Sequence, residues 1–243
     1  MRINVYLSSR GLCSRREADR LIEQGEVTVN GKPARLAMDI ADTDDVIFKG
    51  KPVAKTTKDN VYILLNKPRG IISTTEAEKK DNIISYIHYP RRIFPVGRLD
   101  KDSSGLIILT TDGQIVNKIL RSENRHEKEY VVRTWRPFDK DFIVEMASGV
   151  NIYNPVRHRI ETTKPCKIKK LENDLFSIIL TQGLNRQIRR MVKALGNEVI
   201  ELERVRIMNL EKGDLSEGSW RYIEGRELET LMSLVGENSQ NTK

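Results

Sequence analysis

Apolar positions in this 243-residue chain recur with two periods, and the changes between them mark out its elements. Ile3, Val5, Tyr6 and Leu7 suit a short helix ending near Gly11. Ser14 stands three residues before Glu17, the spacing that caps a helix start. The helix from Arg15 to Gln24 then buries Ala18, Leu21 and Ile22, and Gly25 ends it. Glu26 to Gly31 reads as a strand running into an Asn30-Gly31 hairpin turn. Val61 to Asn66 is an unbroken apolar strand stopped by Lys67-Pro-Arg-Gly70, which predicts burial on both faces. Arg92 to Phe94 and Leu106 to Thr110 are further sheet segments. Gln114 to Arg121 is a short helix with Ile115, Ile119 and Leu120 on its apolar side. Glu127 to Trp135 alternates as a strand, and Phe138 to Ser148 is helical. Lys164 to Lys170 and Leu175 to Thr181 are strands joined at Asn173-Asp174.

The most regular segment runs from Asn185, a good N-cap, to Gly196, a good C-terminal stop. Leu184, Ile188, Met191, Val192 and Leu195 form one apolar arc. Arg186, Arg190 and Lys193 lie opposite, and Arg189 sits at the arc's edge, where its stem can cover the core and its head reach sideways. Val199 to Asn209 is a strand that places Arg204 and Arg206 on one face and Val205 and Ile207 on the other. A last helix covers Glu227 to Val235. The polar tail, 236–243, is expected to be disordered. Lys49 to Asn60, Lys-rich and poor in apolar residues, reads as a linker between a module at 1–48 and a larger domain at 61–235.

Composition adds a partner. Apolar residues make up 38%, enough for a core, and 42 basic against 34 acidic residues give a net charge of +8. That balance favours a polyanion such as nucleic acid. Cys13 and Cys166 make no framework, and His88, His126 and His158 show no ligand spacing. A reduced, cytoplasmic, monomeric protein without metal or cofactor is the expectation. No apolar run is long enough for a membrane span, and the first residues are too polar for a signal peptide.

One loop stands out for chemistry: Phe94-Pro-Val-Gly-Arg-Leu-Asp-Lys-Asp-Ser-Ser-Gly-Leu106. Pro95, Gly97 and Gly105 break regular structure, and Ser103 and Ser104 favour turns. A polar loop between two core segments can present one side chain to a substrate. Asp100 is the candidate, with Arg98 two residues before it. Asp102 reads as a loop-stabilising residue.

Ser9-Arg-Gly-Leu-Cys-Ser-Arg-Arg-Glu-Ala18, followed by Gly25-x-Val27-x-Val29-Asn-Gly31, resembles an S4 RNA-binding domain. The resemblance implies that Arg10, Arg15 and Arg16 face RNA phosphates. Downstream, Gly97-Arg-Leu-Asp100, Lys128-Glu-Tyr130 and Asn185-Arg-Gln-Ile-Arg-Arg-Met191 together resemble the ribosomal RNA pseudouridine synthases of the small-subunit synthase A subfamily. His126-Glu-Lys-Glu-Tyr130, Gln182-Gly-Leu-Asn185 and Leu202-Glu-Arg-Val-Arg-Ile-Met-Asn209 are similar to the large-subunit synthase F group within it. The resemblance implies an α+β fold, with the S4 domain beside a mixed, mainly antiparallel sheet flanked by helices. It implies uracil detached at N1, turned over and rejoined through C5, without cofactor or metal. Asp100 would be the carboxylate of that reaction, Tyr130 would lie against the base, and Arg98 would fill the space left by a flipped uridine. Arg189 is the candidate to keep Asp100 ionised. Asn185, Arg186, Arg190 and Lys193 would join the S4 arginines on ribosomal RNA, and transfer RNA stays open as a second substrate. Two other readings compete: an RNA-binding or ribosome-assembly protein without catalysis, and a glycosidase using Asp100 and Asp102 as its acid/base pair.

Overall fold

A computed structural model describes residues 1–41, 43–54, 60–76, 78–120 and 126–237. In the N-terminal module, α1 (Ile3–Ser9) and α2 (Arg15–Glu23) cover a sheet of β1 (Val27–Val29), β2 (Lys32–Pro33), β3 (Val46–Phe48) and β4 (Lys51–Pro52), in the order β2-β1-β3-β4. The Ser14 side chain accepts from the Glu17 amide at 3.1 Å, so α2 starts where the capping pattern placed it. Asn30 and Gly31 both take positive φ, 49° and 77°, as the tight β1–β2 turn requires. The linker reading needs correction at its start. Lys51–Pro52 pairs with β3 and Val53 packs on the module's core, so the small sheet extends past residue 48. A two-residue strand of Lys and Pro has no alternation to betray it. Residues 55–59 lie outside the described residues.

The larger part is built on one sheet. Its chain order is β5 (Tyr62–Lys67), α3 (Ile83–Ile87), β6 (Phe94–Val96), β7 (Ser104–Thr110), α4 (Gly113–Leu120), β8 (Lys128–Thr134), α5 (Lys140–Ser148), β9 (Asn151–Asn154), β10 (Arg159–Thr162), β11 (Lys167–Lys170), β12 (Leu175–Leu180), α6 (Gln187–Ala194), β13 (Val199–Ile207), β14 (Leu210–Glu211), β15 (Trp220–Tyr222) and α7 (Gly225–Glu237). The main path runs β11-β12-β8-β13-β7-β5-β15, with β14 on β13 and β6 on β7; β9 and β10 form a separate hairpin. Among the described strands of this sheet only β13 and β7 pair in parallel, so the sheet is mixed and mainly antiparallel.

The unbroken apolar runs behave as expected. Every residue of β5 and β7 is buried. Leu64, Leu106 and Ile108 join a core with Ile115 and Ile119 of α4 and Leu231 of α7, while Ile63, Leu65, Ile107 and Leu109 face Ile83 and Ile87 of α3. A third cluster binds Val132, Phe176 and Ile178 to Phe142 and Met146 of α5 and to Ile188, Met191 and Val192 of α6. The Leu120 side chain and residues 121 and 238–243 lie outside the described residues; α7 itself continues through Glu237, two residues beyond the expected end.

Three local expectations fail for identifiable reasons. Asn185 is not the N-cap: α6 starts at Gln187, and the residue before it, Arg186, adopts a left-handed conformation with φ 47°. The Gln187 side chain accepts instead from the Leu184 amide at 3.1 Å. Gly105 does not break structure but lies inside β7, with φ 108°; a Cβ there would sit 2.3 Å from the Arg204 backbone nitrogen. Its glycine permits two strands to close up. Finally, β13 carries register shifts against β8, one of them between Arg204 and Arg206. Strict alternation stops there, and the two arginines fall on opposite faces.

Candidate active site

One row of paired residues crosses the sheet: Ile178 opposite Tyr130, Tyr130 opposite Arg204, Arg204 beside Gly105, Gly105 opposite Lys67. The loop between β6 and β7 lies at the end of this row. Tyr130 and Arg204 of this row, with Gly97 to Lys101 and Ser103 of the loop, line a cavity of about 1020 Å³, to which α1 and α2 add Ser8, Ser9 and Arg15.

The loop is anchored nearly residue by residue. The Ser73 hydroxyl donates to the Leu99 carbonyl at 2.9 Å and accepts from the Leu99 amide at 3.1 Å. The Gly70 amide donates to the Lys101 carbonyl at 2.8 Å, and the Ser103 amide to the Asp100 carbonyl at 3.1 Å. Behind this turn, the fully buried Lys67 ammonium donates to the carbonyls of Pro68 and Ile71. Arg186 holds Asp102 by two bonds of 3.0 Å, a planar fork on a carboxylate. That contact drives the Asp102 carboxyl below the usual carboxylate range and raises Arg186. Both Asp102 oxygens are thus occupied by Arg186, which leaves Asp102 holding the loop rather than facing Asp100 across a sugar as a glycosidase pair requires.

Asp100 lines the cavity, half-buried, with one Arg186 nitrogen 3.5 Å from its Oδ2. The expected partner, Arg189, goes elsewhere. Its Nη2 donates to the Asp102 carbonyl at 3.0 Å and the Ser103 hydroxyl at 3.3 Å, its Nη1 to the Val199 carbonyl, and its Nε lies 3.5 Å from Asp102. The later start of α6 explains the exchange: Arg186 stands at the helix entrance over the loop, and Arg189, a turn further, ties the loop's far side. Arg189 thus positions the loop, and Arg186 is the guanidinium beside Asp100.

Tyr130 lines the cavity with the Arg204 guanidinium 6.0 Å from its ring centre. Arg98 is exposed on the cavity's rim and makes no hydrogen bond or ion pair among the described residues. Arg15 and the exposed Asn185 also line the cavity. Arg16 and Lys193 are exposed but stand away from it. Arg10 lies over the Tyr6 ring and donates to the Ala54 carbonyl at 2.6 Å; Arg190 donates to the Tyr153 carbonyl. Both therefore spend hydrogen bonds on the fold. The sequence reading passed over Ser73, Lys128 and Arg204. Lys128 shares Tyr130's face two residues away, a signal that period-two counting could have used. Among the described residues no group of His, Cys, Asp or Glu converges as metal ligands.

Residues 61–194 match the family model described as RNA pseudouridylate synthase, and residues 1–47 match the S4 domain. The chain belongs to the RNA pseudouridylate synthase family. It is an enzyme that converts uridine in RNA to pseudouridine. It is 48% identical to the dual-specificity RNA pseudouridine synthase RluF of Escherichia coli (strain K12), over 100% of this chain and 82% of that one. It is 32% identical to ribosomal large subunit pseudouridine synthase B of Bacillus subtilis (strain 168), over 96% of each. A crystal structure of a pseudouridylate synthase superposes with a TM-score of 0.67 at 27% identity, covering 95% of this chain and 99% of that one. The S4 module and the mixed sheet described above are thus the parts of one RNA-modifying enzyme.

Proposed function

We propose that this synthase acts on a specific uridine of large-subunit ribosomal RNA, as a member of the small-subunit synthase A subfamily, with Asp100 as its reacting carboxylate. The observation that carries the reading is the loop itself: its backbone and Asp102 are committed to fixed partners, while Asp100 lines the cavity beside one guanidinium. Rigid support of this kind places a single group within reach of a substrate. The ribosomal assignment is supported by the name of the Bacillus relative. The dual specificity in the Escherichia coli relative's name supports a second RNA substrate, for which transfer RNA is the candidate.

A stacked uridine hides its glycosidic bond, so it is flipped out, at a cost of a few kcal/mol. Arg98, unbonded at the rim, takes the vacated space. The carboxylate of Asp100 attacks the sugar or base, or stabilises positive charge on the ribose, as the bond to N1 breaks. Tyr130 lies against the detached base and takes part in removing the C5 proton after C5 has bonded to the ribose. Arg15, Arg16, Arg186 and Lys193 contribute positive charge towards the RNA, and binding is expected to weaken steeply with added salt.

The test is Asp100→Asn. Chemical mapping of pseudouridine in ribosomal RNA from cells carrying either form identifies the modified nucleotide and should show it unmodified in the variant. Normal modification by the variant would remove Asp100 from its role.

A further inference from the structure

Arg204 and Lys128 form a cationic floor to the cavity that the steps above do not use. Arg204 is 4% exposed, donates one hydrogen bond, from Nε to the Leu106 carbonyl at 2.6 Å, and leaves its buried Nη2 without a partner. Lys128 donates to the His126 carbonyl at 3.1 Å. Among the described residues neither makes an ion pair, and both line the cavity with Tyr130. The other half-buried arginines of this sheet are compensated: Arg133 by Asp174, Arg206 by Glu127 and Glu129, Arg221 by Glu227. Burying a cation without a counter-ion costs several kcal/mol. Arg204, buried, and Lys128, half-buried, line one cavity without a carboxylate partner among the described residues and describe a site made for negative charge that arrives with the substrate.

The reaction supplies that charge. When the N1–C1′ bond breaks, its electron pair leaves with the uracil ring, which becomes an anion spread over N1 and the carbonyl oxygens. The ribose is left electron-poor and is met by Asp100. The pair returns when C5 bonds to C1′; the proton lost from C5 is matched by one gained at N1. We infer that Arg204 and Lys128 donate hydrogen bonds to carbonyl oxygens of the detached uracil and hold its negative charge until C5 rejoins the ribose, an inference that rests on the assignment of Asp100 above. Donors fixed in place for charge that develops only during reaction accelerate the chemical step rather than binding. Burial, with the like charge of Arg204 adding to it, lowers the Lys128 ammonium to about 8, so it stays a donor at neutral pH while being desolvated enough to act strongly.

The test uses the full-length enzyme and a ribosomal RNA fragment carrying the mapped uridine, under single-turnover conditions at saturating enzyme. Lys128→Gln should slow conversion by about 100-fold with RNA affinity within about twofold, and Lys128→Arg should recover most of the rate. Arg204→Lys, which keeps the charge but shortens its reach, should slow conversion by about tenfold. An unchanged rate in Lys128→Gln overturns the inference. So does weaker RNA binding with an unchanged saturated rate, which would assign the cations to phosphate. Asp100→Asn in the same series separates the two readings: if it converts RNA normally, the parent assignment has failed; if it is inactive while Lys128→Gln is not, only the cationic floor has. A test free of variants uses the wild type. Barbiturate, a pyrimidine anionic at neutral pH, should inhibit more strongly than neutral uracil, and equal inhibition by both counts against the inference.

Discussion

Two arginines on one strand, two residues apart, have opposite surroundings. Arg206 faces away from the cavity, bonded to Glu129 at 3.1 Å and Glu127 at 3.0 Å. Arg204 faces the cavity, nine-tenths buried, beside a second cation and an aromatic ring, with no carboxylate of its own. The register shift between them turns one strand into a structural face and a chemical face. A stability-optimised protein would pair or remove the charge of Arg204, since local rules broken without compensation concentrate where function needs them. In this sheet, an unpaired buried cation marks the site more sharply than a paired one.

The close approach of β7 and β13 that places Arg204 depends on Gly105. A Cβ there would strike the Arg204 backbone, and φ 108° strains any side chain. Gly105→Ala should cost about 3 kcal/mol or more, read from the urea midpoint, because β7 must part from β13. Gly113→Ala, whose nearest neighbour is a side-chain carbon at 3.9 Å, should change stability by less than about 1 kcal/mol.

Lys67 is a third buried cation of this sheet, behind the aspartate loop, with two carbonyls for partners. Burial lowers its ammonium from 10.5 to about 8, and Lys128 is lowered likewise. Between about pH 8 and 10.5 the unfolded chain holds protons that the folded chain has released. Stability attributable to these groups therefore rises with pH across that window and is flat below it. The rise should be about 3 kcal/mol for each lysine. Burial also pushes the Cys166 thiol up to about 11, which opposes the rise above about pH 9, so the reading is the difference between wild type and variant. Lys67→Met should remove about half of the lysine contribution, as measured by urea unfolding at a series of pH values; the same slope in variant and wild type from pH 8 to 10.5 would contradict the burial of the Lys67 ammonium.

The smallest effect belongs to the structural face. Glu129→Gln removes one of Arg206's two carboxylates in a partly exposed pair and should cost about 0.5–1 kcal/mol in thermal or urea unfolding. The rate of RNA conversion should not change. A rate loss there would erase the distinction between the faces.

Much of this site could be read without coordinates. Gly97, at φ 82°, sets off the aspartate loop, although Pro95, read as a breaker, lies within β6; the loop's apolar flanks enter the sheet, and the amphipathic arc of α6 points Ile188, Met191 and Val192 into the core. What escaped depends on backbone detail that residue types do not encode. The helix entrance at Arg186 exchanged the roles of Arg186 and Arg189, since a left-handed arginine is not a recognisable cap. The register shift hid Arg204, because a period of two carries it to the same face as Arg206. The β9–β10 hairpin and β15 are short and mostly exposed, so no alternation announces them.

The central claim is that Asp100, held by a fixed loop beside Arg186, performs the chemistry rather than the binding. The most direct measurement is single-turnover conversion of the mapped ribosomal RNA fragment by purified Asp100→Asn at saturating enzyme, with RNA affinity measured in parallel. The account expects no detectable pseudouridine and an affinity within about twofold of wild type. Conversion at the wild-type rate, or a loss explained wholly by weaker RNA binding, would contradict it.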